Sequence, residues 1–463
     1  MTTKPRLAAT VLSLAVACTP TGEAPMIEND ESDGSDDSDD GETEEPSPSC
    51  PEPTDGPTMA ADITDDTTWT AAGSPYVIDH GISIRATLTL EPCTEVLIGA
   101  DITVTVRDAG GIVGIGTQDE PIRIGAVDPD DPWATIHVYH GNPIVLAHAT
   151  IEDGGDLGAV APTEGAMIFA QAVDAQSSET LDFDHVTLRG SASQAIRLMD
   201  GARFSSDSSA LVVTDNRSYP VNMWANGLST LPEGDYTGND RDAIFVVGGG
   251  AAAVQEDVTL RDRGVPYVVG DEDSGTGTQL RVVGAALTIE PGVELRFGPG
   301  GGLHVDYGTY AGIGRGALVA VGTAEAPIVF TSSSATPAAG DWYGVYFWNQ
   351  PDPRDVISYA RVEFAGGVSQ IGSSACTTDN IGIHDAAIRF LGTGGQLVPD
   401  SPSEQIVTYT EIVASAGSGI DRGWVGEPIE FLDTNTFVDV AQCEQSYPRP
   451  PSPGTCPDPA PCP

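Results

Sequence analysis

Short runs of β-branched and apolar residues recur along most of the chain, alternating with polar residues and cut by Gly, Pro, Asn and Asp. Ile102-Thr103-Val104-Thr105-Val106 and Ala317-Leu318-Val319-Ala320-Val321 are representative. Alternation of period two places one set of side chains on a buried face, so these runs predict β-strands. No stretch beyond the first residues holds a helical period long enough to predict a helix, and the chain reads as nearly all β. A pair of sandwiches and a parallel solenoid both satisfy that pattern. Sandwich strands would be joined by hairpins with tight-turn signals; here similar strands return roughly every 20–30 residues, which favours the solenoid.

The body also repeats itself. Ser74-Pro75-Tyr76-Val77-Ile78 answers Val265-Pro266-Tyr267-Val268-Val269, and Leu88-Thr89-Leu90-Glu91-Pro92 answers Leu287-Thr288-Ile289-Glu290-Pro291. Gly116 to Ile124 answers Gly322 to Phe330, Trp133 and Trp342 follow at similar distances, and Ala149-Thr150-Ile151-Glu152 answers Ala360-Arg361-Val362-Glu363. The offset between the copies grows along the chain. The second copy therefore carries small insertions, and insertions that spare the motifs belong in loops.

The segments LTIEPGVEL (287–295), GALVAVGTAEAPIVFT (316–331) and YTGNDRDAIFVVGG (236–249) resemble those of right-handed parallel β-helix repeat proteins, in particular a group of bacterial surface lipoproteins. The resemblance spans residues 60–442 approximately and implies one strand per coil in each of three parallel sheets, with like side chains stacked between coils. At about 24 residues per coil and about 4.8 Å per step it implies roughly 16 coils and a rod near 75 Å long. The expected division is a signal peptide (1–18), a disordered acidic tether (19–60), one β-helix copy (61–249), a second (250–442) and a Pro- and Cys-rich tail (443–463).

Charge sharpens this picture. The net charge is −48, from 68 Asp+Glu against 20 Lys+Arg. Such a surface repels phosphate backbones and excludes electrostatically driven nucleic-acid binding. Residues 19–60 hold 14 acidic residues and no basic one. With so little apolar surface they cannot repay the entropy of ordering, and they predict a self-repelling spacer. Ahead of them, Lys4 and Arg6 precede an apolar run, Leu7 to Ala17, that ends at Cys18. The run is shorter than the about 20 residues a membrane helix needs, so it predicts an export signal. Leu14-Ala15-Val16-Ala17-Cys18 resembles the lipobox of bacterial lipoproteins, although Ala15 stands where Leu is preferred. That resemblance implies acylation of Cys18 and a membrane anchor; Thr19, where Asp would retain the protein, implies delivery to the outer membrane or cell surface. Lys4 is the only lysine. Its loss with the leader removes P-loop and Schiff-base chemistry.

Candidate chemistry is sparse. His148-Ala149-Thr150-Ile151-Glu152 matches His185-Val186-Thr187-Leu188-Arg189. Stacking would set His148 on His185, and Glu152 beside Arg189 as an exposed ion pair worth at most about 1 kcal/mol. The histidines read as zinc ligands or as a ring ladder, and the matching Tyr359 and Tyr409 favour the ladder. A carbohydrate-active enzyme, a polysaccharide lyase or glycosidase, would need converging carboxylates with Arg or His. Asp182, Asp184, His185, Arg189 and Asp200, near Arg197, form the best local cluster, but the paired-Asp, Gly-His-Gly and Arg-Ile-Lys patterns of pectin-cleaving β-helices are absent. For binding, strand alternation puts Trp342, Tyr346 and Trp348 on one side and Tyr343, Val345 and Phe347 on the other; the first set, if it faces water, is the candidate glycan or protein platform, although Trp133 at the matching place in the first copy implies a packing role for the first Trp. Asp128, Asp130 and Asp131, and Asp271 with Asp273, are candidate ligands of a structural calcium, which solvated turns explain equally well, and no other cofactor is expected. With Cys18 acylated the remaining cysteines are even in number, and the expected disulfide joins Cys376 to Cys443. The expected protein is a lipid-anchored surface rod with a structural, adhesive or ligand-binding role toward a polysaccharide or surface protein; a carbohydrate-active enzyme is the alternative, and the oligomeric state stays open.

Overall fold

The alternating runs fold as predicted. In Thr103–Arg107, Val104 and Val106 are buried while the intervening side chains face outward and are partly covered. The structure, a computed structural model, describes residues 49–156, 165–172, 178–271, 277–306, 314–348, 351–369, 385–390, 406–423, 429–447 and 462–463. All belong to one compact unit, Ser47–Pro463. Among the described residues the only helices are short 3-10 turns such as Ala225–Thr230, and no helix is long and apolar enough to cross a membrane.

The regular coils carry three strands. Thr87–Leu90, Glu95–Ile98 and Thr103–Arg107 are followed by Gly111–Ile115, Ile122–Ala126 and Thr135–Tyr139, which stack on them in parallel with Leu88 on Ile112, Val96 on Ile124 and Val104 on Ile136. In Ile144–Glu152 and Ser178–Arg189 the first two strands of a coil fuse into one, bent at His148 and His185, whose φ angles of 46° and 53° turn the corner. The chain is a right-handed parallel β-helix.

One sheet runs the length of the body. Its 13 strands extend from Ile82–Ile84 to Thr436–Val438. Inside it an unbroken apolar column passes from Val104 through Ile136, Ile168, Ile196, Val221, Ile244, Tyr267, Leu295, Phe330 and Val362 to Ile412. Burial of each such side chain contributes roughly 1.5–3 kcal/mol. Thirteen rungs is fewer than the coil number expected from length, because coils of the second copy are longer: Ala360–Glu363 and Glu411–Val413 are successive strands of this sheet.

The two copies do not stack wall upon like wall. Tyr76–Ile78 and its counterpart Tyr267–Val269 lie in different sheets, the first in the 12-stranded sheet and the second in the 13-stranded one. Thr135–Tyr139 belongs to the 13-stranded sheet, whereas its counterpart Gly344–Phe347 belongs to a 5-stranded sheet. The second copy is therefore turned by one wall about the solenoid axis. The turn is made where Tyr267 stacks on Ile244.

Two ends differ from expectation. Residues 49–60, assigned to the tether, lie on the first coil: Thr58–Met59 pairs with Tyr76 and Val77, and Cys50 is bonded to Cys93. At the other end Cys443 is bonded to Cys462 in place of Cys376, which lies outside the described residues, as does Cys18. The final residues return to the last coil and bring a sulfur within reach of Cys443.

Candidate functional site

The duplicated tryptophans are structural. Trp133 and Trp342 are fully buried, and each indole Nε1 donates to the carbonyl of a glutamate one coil on, Glu152 at 3.0 Å and Glu363 at 2.7 Å. A Cβ on Gly154 would sit 2.4 Å from the Trp133 ring, so that glycine is what lets the indole in.

This corrects the aromatic platform. Trp342 packs inward on Phe297, with ring centroids 4.5 Å apart, and the cluster on the opposite side is Tyr343, Tyr346 and Trp348. The cause is Gly344, whose φ of 115° shifts the phase of the pleat, so residues before it cannot be assigned from the alternation after it. Tyr346 is itself covered. It occupies an outward column Arg281, His304, Tyr346, Arg389, Asp421. Arg389 lies over its ring at 5.3 Å, and its hydroxyl donates to Asp385 Oδ1 at 3.0 Å. Burial pushes the Asp385 carboxyl up against the pull of Arg389, and pushes His304 down to about 4. A wall buried in this way consolidates the fold and offers no open platform.

The weak catalytic cluster divides. Asp182, Asp184 and His185 share one stretch of strand; Asp184 Oδ1 lies 2.9 Å from His185 Nδ1 and accepts from Ser209 Oγ at 2.6 Å. Burial, then Asp207, Glu179 and Asp184, raise the Asp182 carboxyl, while the Ser209 and His185 hydrogen bonds hold Asp184 low. Arg189 and Asp200 are engaged elsewhere, Arg189 by Glu152 and Asp200 by Gln171 Nε2 at 2.9 Å, while Arg197 lies over Phe169. Glu152 is not the exposed partner expected of it. It is 4% exposed and receives Arg123 Nε at 2.5 Å as well as Arg189 Nε and Nη2 at 2.9 and 2.7 Å. The ring ladder is present in both copies, His148 on His185 at 4.7 Å and Tyr359 on Tyr409 at 4.8 Å.

Of the calcium candidates, Asp128 Oδ1 accepts the amide of Asp130 within its own turn, beside Asp131. Asp271 is held by Arg241 Nη1 at 2.6 Å and by the Tyr219 hydroxyl at 2.7 Å, and Asp273 lies outside the described residues.

Asp271 leads to a site that sequence reasoning missed. An open cleft of about 600 Å³ lies against the 13-stranded sheet where the copies meet, lined by Tyr219, Asp240, Arg241, Asp242 and Ala243 from the first copy and Val268, Asp271, Arg296, Ser333 and Ala335 from the second. Arg241 spreads over the Tyr219 ring at 5.2 Å and reaches its hydroxyl at 3.3 Å. Burial and the Asp271 hydrogen bond push the Tyr219 phenol far above its ordinary value, so it remains a donor. Beneath them Tyr219, Ala243 and Val268 form a small apolar cluster with Phe245 against it. The arrangement supplies guanidinium donors and carboxylate acceptors in one concavity, over a base in which Arg241 covers the Tyr219 ring. Its parts come from successive coils, so the only local trace is the Asp240-Arg241-Asp242 triplet.

Residues 274–351 match the family model described as a pectate-lyase like beta helix domain. No curated protein and no solved structure matches the chain. The matched segment includes Arg296, Ser333 and Ala335, three of the five residues on the second copy's side of the cleft, and leaves out Val268 and Asp271.

Proposed function

We propose that this right-handed parallel β-helix is an exported, lipid-anchored surface protein that binds a polysaccharide in the cleft between its two copies. The cleft is the observation that carries the reading. Sugar rings present vicinal hydroxyls that both donate and accept hydrogen bonds. Arg241 and Arg296 supply the donors and Asp240 and Asp242 the acceptors, with the Arg241 guanidinium held in place over the Tyr219 ring. A pectate-lyase-like segment that contributes Arg296, Ser333 and Ala335 to the cleft agrees with a carbohydrate ligand. Export and anchoring rest on the leader and Cys18; mass spectrometry of the mature N-terminus tests them, and an unacylated Cys18 or another start would sink them.

Binding is tested on a glycan array and by calorimetry with the full chain and Arg241→Ala. The variant should weaken binding at least about tenfold, equivalent to about 1.4 kcal/mol. Unchanged affinity would remove the cleft from the account. The same description of the matched segment favours a second reading, cleavage of the bound chain. Release of reducing ends or of unsaturated sugar from a bound glycan would establish it.

A further inference from the structure

The corner shared by His148 and His185 carries more than a ring stack. Ala147 pairs with Asp184 and Ala149 with Val186, so the two histidines sit on adjacent rungs, about 4.8 Å apart along the axis. Both have left-handed φ, which turns them out at the same corner. In the second copy Tyr359 and Tyr409 make the same stack at the corresponding corner of the repeat, with φ of 50° and 49°. Ring stacking there does not require imidazole. What the first copy adds is ring nitrogen, with a carboxylate beside it.

We propose that His148, His185 and Asp184 bind one divalent transition-metal ion, a site independent of the glycan cleft. One ligand atom from each residue lies within 4.8 Å of the other two, and this is the one group of such ligands among the described residues. Ligand atoms around a tetrahedral zinc ion are about 3.3 Å apart for bonds of 2.0–2.1 Å, so the three must close by somewhat over ~1 Å. The side chains of His185 and Asp184 are 57% and 46% exposed, so side-chain rotation alone supplies that movement. Ser209 Oγ already fixes Asp184 Oδ1, the outer hydrogen bond that orients a metal-binding carboxylate. Ala210 follows Ser209 on the next coil and turns the same corner, with a φ of 49°. Two imidazoles and a carboxylate leave at least one position for water, and the acidic body raises the local cation concentration.

The probe is Zn²⁺, titrated into the full chain with excess Mg²⁺ to occupy nonspecific carboxylates. Wild type should bind one ion per chain that His148→Ala/His185→Ala does not, while Tyr359→Ala/Tyr409→Ala keeps it. Asp184→Asn should lower affinity about tenfold or more. With Cu²⁺ as probe, electron paramagnetic resonance should show coupling to two nitrogens in wild type. Equal Zn²⁺ binding by wild type and the double histidine variant, or a Cu²⁺ spectrum with no nitrogen coupling, overturns the proposal. These positions are at the surface, so retained strand signal by circular dichroism separates lost ligands from lost fold.

Discussion

Replacement of Glu152 by Gln removes one buried charge from a chain of ion pairs that links successive coils. The carboxylate accepts three hydrogen bonds, one from Arg123 and two from Arg189, and Arg123 also reaches Glu95 at 2.5 Å. Both Arg189 bonds go to Oε2 and the Arg123 bond to Oε1, so a Gln with its oxygen toward Arg189 loses the Arg123 bond, turns an NH₂ toward that guanidinium and removes the charge from the other two bonds. Each charge-assisted bond is worth about 1.5–3 kcal/mol. The guanidiniums are 45% and 55% exposed and can turn to water, which discounts the loss to about 2 kcal/mol. Burial alone would raise the Glu152 carboxyl, but the Arg189 and Arg123 hydrogen bonds outweigh it and hold it below 4.5. With the folded value depressed, the contribution is present above the unfolded value and fades as pH falls through the folded one. Urea unfolding followed by tryptophan fluorescence is the assay, because Trp133 donates to the Glu152 carbonyl. The variant should unfold earlier at pH 7, and the gap should close at acid pH. A gap under ~0.5 kcal/mol at pH 7, or one unchanged at acid pH, refutes the reasoning.

Gly344→Ala should cost about 2–3 kcal/mol, since a left-handed φ is strained for alanine. Its Cβ would lie 2.4 Å from the Ala387 carbonyl oxygen, and an unchanged thermal midpoint would contradict the role given to this glycine. Burial pushes the Asp355 carboxyl up to about 7, although the amides of Leu318 and Asp352 donate to it. Because the folded value lies above the unfolded 3.8, its stabilising effect is complete at acid pH and is lost as pH rises through about 7. Carbon-detected NMR should place its midpoint near neutrality; an ordinary carboxylate midpoint would show that water reaches it.

The solenoid was legible because its evidence is local. Val104 and Val106 alternate with threonines in a few residues, and the two LT(L/I)EP strands repeat in order. What depends on azimuth or on several coils was not. The match of Tyr76–Ile78 with Tyr267–Val269 says they are equivalent strands and nothing about which wall each joins. The Trp342 side was misassigned because a positive φ at Gly344 leaves no trace in polarity. Glu152 looks exposed in a strand pattern, and Arg123 from the preceding coil joins Arg189 from the following one in covering it. The cleft has the same origin: Tyr219, Arg241 and Asp271 are distant in sequence and meet by stacking. The histidine ladder was readable because its match with the tyrosines lies in the repeat itself.

The central claim is that a polysaccharide lies across the joint between the copies. Hydrogen exchange of the full chain, alone and with the tightest-binding glycan from the array, tests it most directly. The account predicts protection in the segments carrying Tyr219, Arg241, Asp271 and Arg296. Protection confined to another wall, or no glycan bound at all, would contradict it.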